Sequence, residues 1–127
     1  MSGFHHVEIW IADRAALTDW AWLLSRLGFT QDSVWDEGES WGAGGAYLSL
    51  TTSPNMSSSI HDRRRAGINH LAFRGGSRAD VDALVAAAPA HGWRPLYAER
   101  YPYAGGTDHY ACWLENSAGF KTEVVAE

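Results

Sequence analysis

The chain has 127 residues, with 10 basic and 15 acidic side chains and a formal net charge of −5 when histidine is neutral. Its length and its 46% hydrophobic and 20% charged residues predict one folded domain, because two independent domains would each be too small to bury a good core. The excess of acidic side chains argues against a nucleic-acid-binding surface, and the single cysteine excludes an internal disulfide. No apolar run reaches the roughly 18 residues that span a membrane. We therefore expect a cytoplasmic protein.

The first half of the chain predicts one strand, one helix and three further strands. Residues 4–12 are rich in β-branched and aromatic side chains in near-alternation, which is typical of a strand. Asp13 suits the N-cap of a following helix, and Gly28 suits its end. The apolar face of that helix comprises Leu17, Trp20, Leu24 and Leu27. Glycine turns then separate three short strands, which we predict at about 29–35, 40–43 and 46–51.

The second half repeats this order. It follows a segment rich in serine, proline and asparagine, residues 52–67, which we interpret as a linker. A strand pattern at 68–74 precedes a helix with Ser77 as its N-cap and Asp80 three residues later, the arrangement of a capping box. Gly92 suits the end of that helix, and three strands are predicted at about 93–99, 109–114 and 120–125.

An internal repeat with an offset of 64 residues relates the two halves. It places His6-Val7-Glu8-Ile9 on His70-Leu71-Ala72-Phe73, and Gly28-Phe29 on Gly92-Trp93. The sequence therefore predicts an α+β protein with two tandem βαβββ modules, at about 4–51 and 68–127. Because a module this small cannot bury both faces of its sheet, we expect the two modules to form one mixed, cup-shaped sheet within a single domain.

Two histidines and one glutamate are candidate metal ligands. His6 and His70 occupy equivalent positions in the repeat, whereas strand alternation predicts that His5 points to the opposite face. Glu123, on the last predicted strand, is costly to bury unpaired. The residues alone leave an alternative open, in which the histidines are structural and Glu123 is a charge on an edge strand.

The same residues carry a family resemblance over essentially the whole chain. The segment from His6 to Asp13, followed by a helix and Leu27-Gly28-Phe29, resembles the opening of the vicinal oxygen chelate superfamily, which includes glyoxalase I, fosfomycin-resistance enzymes, extradiol dioxygenases and bleomycin-resistance proteins. Gly67 to Phe73 repeats that opening. The segment Glu115 to Glu123 resembles the family's closing motif, although Asn116-Ser117-Ala118 replaces its Asp-Pro-Asp.

The resemblance implies a metal centre and a class of chemistry. It makes His6, His70 and Glu123 a two-histidine, one-carboxylate set for Fe(II), Mn(II), Ni(II) or Zn(II), with Ser49 at the position of the fourth ligand of glyoxalases. Because serine is a poor ligand, we expect three ligands. The implied function is a metal-dependent dioxygenase, lyase or isomerase acting on a small, oxygen-rich substrate that binds the metal through two oxygens. The alternative is a binding protein that sequesters an aromatic natural product without turnover.

Further residues complete the predicted site. We expect His109, Tyr103 and Glu8 to be acid–base groups, the first two on a glycine-rich loop at 101–110. The expected walls of the substrate pocket are Trp10, Trp35, Trp41, Tyr47, Ser49, Tyr110 and Trp113. The resemblance also implies a homodimer.

Overall fold

The computed structural model describes residues 2–127 of the chain. Its strands are β1 (His6–Trp10), β2 (Thr30–Trp35), β3 (Gly38–Ala43), β4 (Ala46–Thr51), β5 (Leu71–Arg74), β6 (Trp93–Leu96), β7 (Ala111–Asn116) and β8 (Lys121–Val125), and its α-helices are α1 (Leu17–Arg26) and α2 (Arg78–Ala87). The chain divides into two compact units, one ending at Ile60 and the other spanning His61–Glu127. The prediction of an α+β protein built from two tandem βαβββ modules is confirmed.

The first unit is a four-stranded mixed sheet in the order β1-β4-β3-β2. Strand β1 runs parallel to β4, with His6 opposite Tyr47, and β3 is antiparallel to both of its neighbours. The predicted apolar face of α1 is largely buried, since Leu17, Trp20 and Leu24 are all inaccessible to solvent or nearly so. Asp13 caps a 3-10 turn at Arg14–Ala16, directly before α1, rather than α1 itself.

The second unit repeats this topology in the order β5-β8-β7-β6. The predicted capping box is present at the start of α2, where Ser77 and Asp80 exchange side-chain to backbone hydrogen bonds. Gly75 allows close packing at this point, because a Cβ there would lie 2.4 Å from Val124 Cγ1 and 2.8 Å from Val81 Cγ2. Helix α2 therefore packs on the side of the sheet that carries Val124.

The boundary between the units differs from the predicted linker. Residues 61–67 belong to the second unit: the His61 ring stacks on Phe120 with centroids 4.6 Å apart, and the Arg63 guanidinium donates to Glu115 at 2.7 Å. The part of the predicted linker after residue 60 is therefore packed against the second unit. Among the helices of residues 2–127, none combines the length and apolarity that a membrane crossing requires.

Candidate active site

One face of the first sheet carries the first group of predicted site residues. Side chains alternate along β1, so His6, Glu8 and Trp10 share a face, and the register places them beside Tyr47, Ser49 and Thr51 of β4. We call this the His6 face. Trp35 also belongs to it, because it pairs with Gly38, which in turn pairs with Thr51. Ser49 is buried, whereas Trp10 is 41% exposed.

His6 is held by two aromatic neighbours. Its ring stacks on Tyr47, with centroids 4.9 Å apart and planes within 7°. Its Nδ1 lies 2.8 Å from His5 Nδ1. The expectation that His5 points away from His6 is wrong, because β1 begins only at His6 and strand alternation does not extend to residue 5.

Two other predicted residues of the first unit have structural partners. The indole N–H of Trp10 donates to the Glu8 carboxylate at 2.7 Å. Trp41 pairs with Leu48 across β3 and β4 and so lies on the opposite side of the sheet from the His6 face. There its indole donates to the buried Glu39 carboxylate at 3.0 Å, which also accepts from Gln31 at 2.9 Å. The structure thus does not bring Trp41 together with His6.

In the second unit, Glu123 lies at the centre of a hydrogen-bonded cluster. Its carboxylate is buried on β8, opposite Ala72 of β5 and Trp113 of β7. His70, which immediately precedes β5, places Nε2 3.0 Å from Oε1 of Glu123. His109 Nε2 contacts the other oxygen, Oε2. Two imidazole nitrogens therefore converge on one buried carboxylate.

Asn69 contacts the second ring nitrogen of His70 through its side-chain oxygen. The Asn69 amide nitrogen donates to the Arg63 carbonyl at 3.0 Å, which turns Oδ1 toward His70 Nδ1 at 2.7 Å. Both nitrogens of His70 thus face oxygen acceptors, but a neutral imidazole has a single N–H. With that N–H on Nδ1, the lone pair of Nε2 faces Glu123. A cation, either a proton or a metal ion, is needed between Nε2 and the carboxylate.

The predicted loop residues separate into two groups. His109, 41% exposed, lies beside Trp113, with ring centroids 5.9 Å apart, and so belongs to the Glu123 cluster. Tyr110 instead donates its hydroxyl to Asp82 of α2 at 2.6 Å, and Tyr103 packs edge-on against Tyr110. The hydrogen bond to Asp82 raises the pKa of Tyr110 above its ordinary value, which opposes a role as an acid or base near neutrality.

A divalent ion matches the chemistry of the Glu123 cluster, although the side chains are not arranged around a metal position. Within residues 2–127, no set of three or more His, Cys, Asp or Glu side chains has the arrangement needed to hold a metal ion. The donor types nevertheless suit one, because imidazole and carboxylate are the ligands of open-site divalent metals. The orientation of His70 by Asn69 is also that of a metal-ligating imidazole, whose second nitrogen donates to an oxygen.

Sequence reasoning did not identify Asn69, which contacts His70. It also did not identify the pair in which Lys121 donates to the Tyr97 hydroxyl, beside Trp113. Asn69 could have been suspected from its position beside His70, and Lys121 from its place two residues before Glu123, on the same face of a strand. No sequence signal marks Tyr97, because its position depends on a left-handed backbone conformation with a φ of 56°.

The sequence and the fold have relatives. A sequence model of the Glyoxalase/Bleomycin resistance protein/Dioxygenase superfamily matches residues 5–113. The chain is 38% identical over 125 residues to the uncharacterized protein YqjT of Bacillus subtilis (strain 168), covering 96% of this chain and 97% of that protein.

Solved structures share the same architecture. A protein from Bacillus halodurans, provisionally described as a glyoxalase, superposes with a TM-score of 0.89 and 36% identity over 100% of this chain and 97% of the other. A glyoxalase/bleomycin resistance protein from Albidiferax ferrireducens T118 superposes with a TM-score of 0.77 and 23% identity, covering 99% of both chains, and this match concerns the fold alone.

Proposed function

Because this chain belongs to the Glyoxalase/Bleomycin resistance protein/Dioxygenase superfamily, we propose that it is a metal-dependent enzyme acting on a small, oxygen-rich organic substrate. The observation that carries the proposal is the environment of His70, between the Asn69 carbonyl oxygen and the Glu123 carboxylate. With a divalent ion at Nε2, a neutral imidazole could donate its N–H from Nδ1 to the Asn69 side-chain oxygen. The ion would also neutralise the buried carboxylate of Glu123.

We propose His6, His70 and Glu123 as the residues that hold the ion. His70 and Glu123 are supported by their contact, and His6 by its equivalent place in the repeat, where its ring is oriented by Tyr47. Ser49 has the same strand position in β4 that Glu123 has in β8, and a hydroxyl there leaves a three-ligand set. When bound, the ion would take two substrate oxygens and stabilise negative charge on them, or, as Fe(II), supply redox chemistry with dioxygen.

The other side chains would position the substrate and move protons. His109, in contact with Glu123 and Trp113, is the group that we propose transfers a proton. Trp113 would form an apolar wall beside it, and Trp10, Trp35, Tyr47 and Ser49 of the His6 face would line the remaining surface, with Glu8 held by Trp10. Tyr110 is held by Asp82 of α2 and Tyr103 packs on the Tyr110 ring, so we leave both out of the proposed site, together with Trp41.

Metal analysis of the purified protein tests this function. We expect about one divalent ion per chain, removable by a chelator and restored by adding metal, because a three-ligand site binds one ion. Glu123→Gln and His70→Gln should reduce metal affinity by more than the roughly 10- to 100-fold that the loss of an outer-shell partner costs. A competitive chelator titration measures this.

His91→Gln is the matched control, since it also removes one histidine but from an exposed position after α2. It should leave metal affinity unchanged. Equal affinities in the Glu123→Gln, His70→Gln and unsubstituted proteins would contradict the proposal. If the substitutions do weaken metal binding, catechols, hemithioacetals and epoxides are the compounds to test for metal-dependent turnover.

A second candidate is a binding protein without turnover. The stacked His6 and Tyr47 rings, on the same face as the exposed Trp10, favour it because they offer flat apolar surface to an aromatic ligand. Tight binding of an aromatic compound that is unaffected by metal removal and by His70→Ala would support this function over the enzyme.

Two further features belong to the proposal. We place the protein in the cytoplasm and infer that it is a homodimer. Light scattering coupled to size-exclusion chromatography should give about twice the 14.0 kDa mass of one chain. A mass of one chain at micromolar concentration would refute the dimer.

A further inference from the structure

Tyr97 has an unusual backbone and a charged neighbour. Among residues 2–127 it is the one non-glycine residue with a positive φ, at 56°, a conformation that costs about 1 kcal/mol or more for a residue with a Cβ. Its hydroxyl accepts a hydrogen bond from Lys121 Nζ at 3.0 Å. A strained residue that is held by a side-chain contact is a candidate functional residue.

Tyr97 and Lys121 lie next to the Glu123 cluster. Lys121 and Glu123 are two residues apart on β8, so their side chains share one face of the sheet. The Tyr97 ring packs edge-on against Trp113 with centroids 6.0 Å apart, and Trp113 is the residue opposite Glu123 and beside His109. Trp113 therefore contacts both Tyr97 and His109, and His109 in turn contacts Glu123.

Positive charge gathers around the Tyr97 phenol. Lys121 Nζ lies 5.0 Å and the Arg100 guanidinium 5.2 Å from the centre of its ring. The hydrogen bond from Lys121 lowers the pKa of Tyr97 below its ordinary value, and the charges of Lys121, Arg63 and Arg100 add to this effect. The Tyr97 hydroxyl is thus surrounded by positive charge.

Lys121 retains capacity for another partner. Its ammonium group has three N–H donors, one of which is directed to the Tyr97 hydroxyl. The carboxylate opposite it on β7, Glu115, accepts from Arg63 and Arg94 instead. Lys121 is also the only lysine of the chain. An ammonium group whose partner is a phenol keeps its charge available for an anion.

We propose that Lys121, Tyr97 and Arg100 form an anion subsite that binds a carboxylate group of the substrate. This inference rests on the proposed function and narrows it to an anionic substrate, whose vicinal oxygens would reach the metal while its carboxylate reaches Lys121. Charge-assisted hydrogen bonds from ammonium and guanidinium groups are the strong ones in such recognition.

The test compares 3,4-dihydroxybenzoate with 3,4-dihydroxybenzamide, which share a ring and two vicinal oxygens but differ in charge. Calorimetry on metal-free and on Zn(II)-loaded protein gives both affinities. We expect the acid to bind about ten-fold more tightly than the amide, a difference of about 1.4 kcal/mol. The combined Lys121→Met and Arg100→Gln substitutions should remove this preference, and Lys121→Arg should keep it.

Arg26→Gln is the control, because Arg26 likewise lies over an aromatic ring, that of Trp22, but on α1. It should leave the preference unchanged. Equal binding of acid and amide, no binding of the acid, or a preference that survives the double substitution would overturn the subsite. If Zn(II) strengthens both compounds equally and charge has no effect, the subsite fails while the metal function stands. If the acid still binds more tightly than the amide but Zn(II) has no effect on either compound, the metal function fails while the anion subsite stands.

Discussion

The side-chain oxygen of Asn69 lies 2.7 Å from Nδ1 of His70 and favours the tautomer with its N–H there. Asn69→Ala removes the acceptor at Nδ1, so the proton of His70 is free to move to Nε2, where it would block a metal. We expect metal affinity to fall by about 10- to 100-fold, as is typical when an outer-shell partner of a ligating histidine is lost. A competitive chelator titration measures the change.

Asn55→Ala is the control for that substitution, since Asn55 is an exposed residue of the first unit, outside the proposed ligand set. Its metal affinity should equal that of the unsubstituted protein. An Asn69→Ala protein that binds metal normally would show that Glu123 alone orients His70.

Glu115 makes folding stability depend on pH. The Arg63 guanidinium, which donates to Glu115 at 2.7 Å, lowers the pKa of that carboxyl below its ordinary 4.5. A carboxyl whose pKa is lowered by folding stabilises the folded state above its unfolded pKa and loses that contribution as the pH falls through its folded pKa. Glu115→Gln should therefore destabilise the protein at pH 7 more than at pH 3.

Urea unfolding at these two pH values measures the effect. Glu37→Gln, in the exposed turn before β3, should show no such difference because it removes a carboxyl outside any ion pair with Arg63. Equal destabilisation by Glu115→Gln at both pH values would mean that packing, rather than charge, accounts for its contribution.

At the level of elements, the start of α2 depends on Ser77. Its hydroxyl accepts from the Asp80 backbone N–H at 3.1 Å, while the Asp80 side chain accepts from the Ser77 N–H. Ser77→Ala should lower the free energy of unfolding by about 1 kcal/mol, the usual cost of losing such a cap. Chemical denaturation measures it, and Ser59→Ala in the exposed segment before His61 should be neutral.

Most elements could be predicted from the sequence because their boundaries coincide with local signals. The bounds of β4 match the prediction at both ends, and Gly28, which follows α1, has a φ of 90°. Gly92 also has a positive φ, 88°, but it ends the 3-10 turn Ala88–His91 that follows α2 rather than α2 itself. The strand predicted at 68–74 begins only at Leu71, so His70 lies just outside it. Its backbone is therefore not fixed by the ladder, and its orientation depends on Asn69.

The site could be predicted only in part, since its geometry depends on contacts between residues far apart in the chain. The repeat indicated His70, and the resemblance indicated Glu123, which the structure brings into contact. Tyr97 could not be predicted, because a left-handed backbone is usually indicated by glycine and this position has tyrosine. Tyr110 is predicted to line the pocket, whereas in the structure its hydroxyl donates to Asp82 of α2, a contact that the sequence does not indicate.

For the whole molecule, the division into two units predicts where a protease cuts first. The segment 52–60 contains no regular helix or strand and ends the first unit, and exposed segments of this kind are preferred cleavage sites. Thermolysin, which cleaves before apolar residues, should cut first near Met56 or Ile60. Mass spectrometry of the early fragments identifies the bond.

The exposed Val34 on β2 provides an internal comparison, because it is an equally suitable residue within a sheet. A first cut there, rather than at Met56 or Ile60, would show that β2 opens before the boundary segment does.

The identical strand order of the two units has an evolutionary meaning. Tandem duplication of a gene for one βαβββ unit would leave this pattern, with Ser49 and Glu123 as descendants of one ancestral position. The two copies have since diverged in charge: residues 1–60 contain seven acidic and two basic side chains, whereas residues 61–127 contain eight of each. The two halves thus carry nearly equal numbers of acidic side chains, and their difference in charge comes from six additional basic side chains in the C-terminal half.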